Sequence, residues 1–467
     1  MDTNLTTAAT QFFAPAAWVA GAWAQDVLLT VDAQGHWAAV TPNSQAHQHP
    51  QAVRLPGPVV PGLVNAHSHA FQRAIAGLTE QRASKGASQQ DNFWSWRDRM
   101  YAAALKISPQ QLEHIATLLY TELLAGGYTQ VCEFHYLHNA ASGQSPAPAL
   151  DMSMALVRAA QTVGIGLTLL PTLYMRSGFA ASGLRDDQQR FASSPDTLAR
   201  LLEDVQAHIA PSAHINLGVA IHSLRAVDLG AMAQWVAHAD RQAMPIHIHI
   251  AEQEQEVQDC LAHTGLRPIA YLLDNMAVNA RWNLVHATHA SGAELQGVRD
   301  RGASVVLCPS TEANLGDGIF DFGTYASCGG RWSIGSDSHV TRSASEELRS
   351  LEYAQRLLKM QRNVAAHAGP STSTASNLWE AALAGGQSAC GLPVGAIAKG
   401  QRADFLVLDT HAPALLGIPA QRVLDAWIFS SPDAPPKAVY VAGKLKVHHV
   451  TAAVSAPFVE TMQSLWA

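Results

Sequence analysis

The chain has 467 residues, 48% of them hydrophobic and 14% charged, with a formal net charge of −7. That length permits a large core and one big domain with an accessory domain, while the acidic balance excludes a general nucleic-acid binder, which would present a basic face. The five cysteines (Cys132, Cys260, Cys308, Cys328 and Cys390) form no CxxC pair, which excludes a disulfide framework and a cysteine-rich zinc site.

The opening Met-Asp-Thr-Asn has no basic leader, and no apolar run reaches membrane-spanning length. A cytoplasmic protein without membrane contact is therefore expected. Residues 1–57 read as short strand-like pieces, such as 37–40 and 53–55, broken by Gly, Pro and Asn. From 58 to 388 apolar runs alternate with amphipathic stretches. Strand candidates fall at 59–66, 130–135, 166–173, 216–222, 246–251, 283–286, 304–308 and 332–337. Helical patterns fall between them at 109–125, 198–208, 229–241, 252–263 and 344–359. This alternation predicts an α/β fold, a TIM-like (β/α)8 barrel. Residues 389–467 return to strands at 403–408 and 438–444. These are expected to join the N-terminal pieces in a small β-sandwich domain built from both chain ends. Segments 141–149 and 365–376 are small and polar and read as mobile loops, and 81–92 is a candidate lid.

In a barrel, chemistry gathers at the C-terminal strand ends. The first strand candidate ends in His67-Ser68-His69, and a strand puts residues i and i+2 on one face. The fifth carries His247-Ile248-His249 followed by Glu252, the sixth ends in His286, and the eighth in Gly335-Ser336-Asp337. One histidine at a strand end is usually structural, but four such coincidences in register point to a metal site. His249 would bind a metal while Glu252, three residues on, reaches the activated water and shuttles its protons. Asp337 would add an oxygen ligand and accept a proton. Three His and one Asp suit a mononuclear hydrolytic centre. No lysine occurs between Lys106 and Lys359, so a carboxylated lysine bridging two metals has no source. One divalent ion per chain is expected, zinc first and iron second.

Several longer strings resemble the amidohydrolase superfamily, and within its deaminase branch the formimidoylglutamate deiminases of histidine degradation. They are the stretches 61–73 (through His67-Ser-His-Ala-Phe-Gln-Arg73), 93–97 (Phe-Trp-Ser-Trp-Arg), 133–136, 221–225, 247–253, 311–318 and 335–339. The resemblance spans roughly residues 55 to 360. It implies that His67, His69, His249 and Asp337 hold the metal, that Glu252 shuttles protons, and that His286 orients or polarises water and substrate. Gln72, Arg97, Tyr136, His222 and Arg225 would line the substrate pocket. Arg97, on a loop after the first strand, and Arg225, just past the fourth, would bind a small molecule with two carboxylates, since arginine forks bind carboxylates bidentately. Trp94 and Trp96 read as packing that holds this loop.

The implied reaction is hydrolytic deamination of N-formimino-L-glutamate to N-formyl-L-glutamate and ammonia by a metal-activated water, in a homodimer. The alternatives are a related metal-dependent deaminase acting on guanine or an adenosine-like substrate, and a metal-free binding protein that kept the barrel. The complete ligand pattern argues against the latter.

Overall fold

The computed structural model describes residues 9–81, 91–139, 149–209, 214–430 and 434–466. Eight parallel strands follow one another in sequence order: β1 (Leu63–Ser68), β2 (Tyr128–His135), β3 (Gly166–Leu173), β4 (Val219–Ile221), β5 (Ile246–Ile250), β6 (Trp282–His286), β7 (Ser304–Leu307) and β8 (Arg331–Ile334). A short stretch, Ile215–Leu217, precedes β4 and also pairs with β3. Every residue of β2, β3 and β5 is buried. That is what continuous apolar strands give when one face meets helices and the other fills a barrel interior. The ring closes through an isolated parallel bridge between Ser68 and Asp337. There the Asp337 amide donates to the His67 carbonyl at 3.0 Å and the His69 amide to the Asp337 carbonyl at 3.3 Å. The seam of the barrel is thus made by the residues with metal-binding chemistry. The expected α/β barrel is present.

The connecting helices begin where capping chemistry dictates. Ser108 and Gln111 cap each other around Pro109 to start Pro109–Ala125. Ser343 accepts from the Glu346 amide to start Ala344–Lys359.

The second sheet unites both chain ends. Its path runs from Lys444–Lys446 through Ala438–Val441, Phe405–Val407, Val59–Pro61, Thr10–Val19 and Ala22–Val31 to Trp37–Thr41, with Val53–Arg54 paired beside Thr10–Val19. Trp37 and Phe405 lie four strands apart on this path, which a flat sheet would separate by about 19 Å. Their ring centroids are 5.4 Å apart. The sheet therefore folds back on itself around Phe12, Trp37, Phe405 and Tyr440, and this is the expected sandwich.

Three local expectations are corrected. The 59–66 run is not one strand. Val59–Pro61 pairs antiparallel with Phe405–Val407, and Leu63 onward enters the barrel. The break is at Gly62, where a Cβ would lie 2.3 Å from Thr129 Cγ2. The 365–376 stretch is a loop only at 369–373, between the helices Val364–Ala368 and Thr374–Cys390. Its small residues suit close packing: further along Thr374–Cys390, a Cβ on Gly385 would lie 1.9 Å from the Trp332 carbonyl oxygen. Arg97 is not on a loop but on the helix Phe93–Ala104, capped by Asn92. Most of the 81–92 and 141–149 segments lies outside the described residues. All five cysteines are free thiols. Among the described residues, no helix is long and apolar enough to cross a membrane.

Candidate active site

The C-terminal ends of β1, β5, β6 and β8 bring His67, His69, His249, His286 and Asp337 together. The Nε2 atoms of His67 and His249 are 3.0 Å apart and those of His69 and His249 3.3 Å. Asp337 Oδ1 lies 3.3 Å from both His67 and His69 Nε2. Nδ1 of His69 faces the Phe134 carbonyl at 2.9 Å, and Nδ1 of His249 the His222 carbonyl at 3.0 Å. A carbonyl only accepts, so both Nδ1 atoms carry the hydrogen and both Nε2 atoms present bare lone pairs. Burial, then the neighbouring imidazoles, push His67 down to about 3 and His249 well below the usual histidine range, so they stay neutral. The bare Nε2 acceptors of His69 and His249, 3.3 Å apart, cannot bond one another. A tetrahedral ion with bonds of about 2.0–2.1 Å spaces its donors by about 3.3 Å. This donor set therefore fits one divalent metal.

Beside it, His286 Nε2 lies 3.8 Å from Glu252 Oε1 and 3.9 Å from Asp337 Oδ2. Burial pushes the Glu252 carboxyl up to about 7, against the pull of His286 and Arg225. Burial also opposes charge on His286, but Glu252, Glu312 and Asp337 outweigh it and carry the imidazolium up to about 10. For Asp337 the surrounding imidazoles overcome burial and hold the carboxyl well below the usual carboxylate range. The turns that aim these groups are tight. Ala251, His286, Ala287, Asp337 and His339 all adopt left-handed φ, between 46° and 69°. For residues other than glycine such conformations cost energy and persist where surrounding structure enforces them, often at functional sites.

All the residues expected at the site converge. His69, Gln72, Arg97, Tyr136, His222, Arg225, His249, Glu252, His286 and Asp337 line one cavity, and His67 is fully buried at the β8–β1 seam. Gln72 donates to the Tyr136 hydroxyl at 3.3 Å, and its Oε1 is buried without a hydrogen-bond partner. Arg97 Nε and Arg225 Nη1 are likewise buried without one. His247, two residues before His249, faces the Ala389 carbonyl at 2.8 Å and stays outside the cluster.

Sequence reasoning passed over three further residues and read a fourth, Trp94, as packing alone. Glu312 sits 3.4 Å from His286 Nδ1 and accepts from the Cys308 amide at 3.0 Å. Glu133 receives Ser68 Oγ at 2.7 Å, the Ala70 amide at 2.6 Å and the Tyr120 hydroxyl at 3.2 Å, and so holds the turn carrying His69. Asp317 accepts from Gln253, next to Glu252. Trp94 is half-buried against the two arginines rather than in the core. Glu133, Glu312 and Asp317 stand in two of the motif strings, which was the available signal.

A barrel with a His/Asp cluster able to hold a metal at its C-terminal rim, joined to a sheet from both chain ends, defines a metal-dependent hydrolase. The amidohydrolase family model matches residues 59–446, and the chain belongs to that family, whose members are metal-dependent. The chain is 45% identical over 432 residues to formimidoylglutamate deiminase of Pseudomonas aeruginosa, covering 92% of this chain and 93% of that protein. It is 27% identical to 5-methylthioadenosine/S-adenosylhomocysteine deaminase of Halobacterium salinarum, over 76% of this chain and 74% of the other. The crystal structure of an amidohydrolase from Brucella melitensis superimposes with a TM-score of 0.90 at 39% identity, covering 98% of this chain and 100% of that one.

Proposed function

We propose that the protein hydrolyses N-formimino-L-glutamate to N-formyl-L-glutamate and ammonia. The observation that carries this reading is the pair of buried, unpartnered guanidinium donors on Arg97 and Arg225, in the cavity that also holds the metal-ligand cluster. A purine has no carboxylate to satisfy two arginines, whereas the formimino substrate has two. The 45% identity to the Pseudomonas aeruginosa deiminase, against 27% to the nucleoside deaminase, supports the same choice.

His67, His69, His249 and Asp337 are the proposed ligands, and zinc suits their three nitrogens and one carboxylate at tetrahedral spacing. Such an ion, when bound, lowers the pKa of water toward neutrality. The other steps belong to side chains. Arg97 and Arg225 grip the two carboxylates, with Gln72, Tyr136 and His222 completing the wall, and so fix the formimino carbon over the cluster. Glu252, with Asp337, accepts the proton of the attacking water as oxygen adds to that carbon. Glu252 then delivers a proton to the nitrogen that leaves as ammonia. His286, between Glu252 and Asp337, stabilises the charge that develops on the reacting carbon's substituents. Elemental analysis separates zinc from iron.

The reading extends to a cytoplasmic homodimer with domain boundaries near residues 57 and 388. Sedimentation tests the first of these assignments and limited proteolysis the second. For the reaction itself, NMR of the product mixture should give N-formyl-L-glutamate and ammonia in equal amounts. Release of L-glutamate and formamide would refute the assigned bond cleavage.

A further inference from the structure

We propose that Trp94 sets the spacing between Arg97 and Arg225 and thereby selects a five-carbon dicarboxylate over a four-carbon one. This rests on reading the two arginines as the carboxylate receptors. Trp94 stands in the first turn of Phe93–Ala104, where Asn92 Oδ1 accepts from the Trp94 and Ser95 amides at 3.0 and 3.3 Å. That cap fixes the backbone from which the indole projects. Arg97 lies three residues on, on the same helix face, with its Cζ 4.5 Å from the indole centroid. Arg225 comes from the far side of the barrel rim, after β4, and its Cζ lies 5.4 Å from the same ring. One indole ring thus contacts both guanidiniums. A cation is attracted to an indole face, and Arg stacks there more readily than Lys.

Among the described residues, Trp94 is the ring over which both guanidiniums lie. The nearest carboxylates are Asp98, 3.8 Å from Arg97, and Glu256, 3.7 Å from Arg225, each beyond hydrogen-bond range and each beside only one of these two arginines. Tyr101 stacks on Arg97 alone, at 5.4 Å. The indole is therefore the shared reference that holds two like charges in register. Without it they are free to separate, and the distance between the two receptor forks is no longer set. Glutamate and aspartate skeletons differ by one methylene, hence in the distance between their carboxylates. A rigid spacer between two forks discriminates on that distance.

Calorimetric titration of the purified holoprotein with glutarate and with succinate tests this without turnover. Wild type is expected to prefer glutarate by about tenfold or more, the scale on which one methylene is discriminated. Trp94→Leu should bring the two affinities to within about twofold of each other by weakening glutarate binding, because its side chain offers no flat face to share. Trp94→Phe, which keeps a smaller aromatic face, should lie between them, and decides the matter if the Leu variant does not fold. A Trp94 variant that keeps the full wild-type preference would overturn the spacer while leaving the arginines as receptors. If the wild type binds neither dicarboxylate, the receptor reading itself fails and the spacer with it.

Discussion

Glu252 is placed to do what a shuttle must: it lies 3.8 Å from His286 and three residues past His249, beyond a left-handed turn at Ala251. Glu252→Gln keeps the shape and removes the base. Turnover should fall by about 10²–10⁴-fold, the usual worth of general acid–base catalysis, with metal content unchanged by elemental analysis. A variant that loses its metal would instead make Glu252 a structural residue. At this scale the proposed ligands were legible because strand periodicity and strand ends are sequence properties: His67 and His69 had to share a face. Glu312 and Glu133 were not, because their roles exist only through partners brought close by the fold. Glu312 reaches His286, 26 positions away, and Glu133 reaches Ser68, 65 positions away.

The helix Pro309–Leu315 shows how one element serves several of the proposed catalytic groups. It carries Glu312 beneath His286, and Thr311, whose hydroxyl accepts from the Ser338 amide at 3.2 Å beside Asp337. Its start is held from below by Glu347 of Ala344–Lys359, which accepts from the Ser310 amide at 3.0 Å and the Ser310 hydroxyl at 2.5 Å. Burial pushes the Glu347 carboxyl up from 4.5 to about 8 despite those bonds. A folded-state pKa above the unfolded one gives stability that is fully present below the unfolded value and lost as pH rises through the folded value. Wild type should therefore lose stability relative to Glu347→Gln between about pH 4.5 and pH 8 and level off above. The loss is of the order of a few kcal/mol, at about 1.4 kcal/mol per unit. Urea unfolding across that range checks it, and parallel curves would show that the carboxyl titrates normally. The helix Phe93–Ala104 was one element the sequence concealed: its four aromatic residues among polar ones follow no clean helical period.

At the scale of the molecule, barrel and second sheet are joined by a buried charge. Arg402 donates to Asp404 at 2.5 and 3.0 Å and to Gln130 of β2 at 2.9 Å, while Asp404 also receives the Ala442 amide at 2.9 Å. Removing one member of a buried pair strands the other. Asp404→Ala should therefore cost about 3–5 kcal/mol in equilibrium unfolding, whereas a loss below about 1 kcal/mol would mark the contact as solvent-screened. The barrel was readable because eight apolar runs alternating with amphipathic stretches leave few alternatives. The pairing of Val59–Pro61 with Phe405–Val407 joins segments more than 340 residues apart, and only the shape at Gly62 reveals the break. What barrel, seam and rim together assert is a metal-dependent hydrolase for a formimino dicarboxylate. The most direct measurement is kcat/KM for ammonia release by the metal-loaded protein from N-formimino-L-glutamate, guanine and adenosine in parallel. Release from the formimino substrate should exceed either purine compound by at least about 10⁴-fold, the discrimination of a site whose buried polar groups a wrong ligand leaves unpaired. Comparable or faster release from a purine compound would contradict the assignment of Arg97 and Arg225, and with it the substrate.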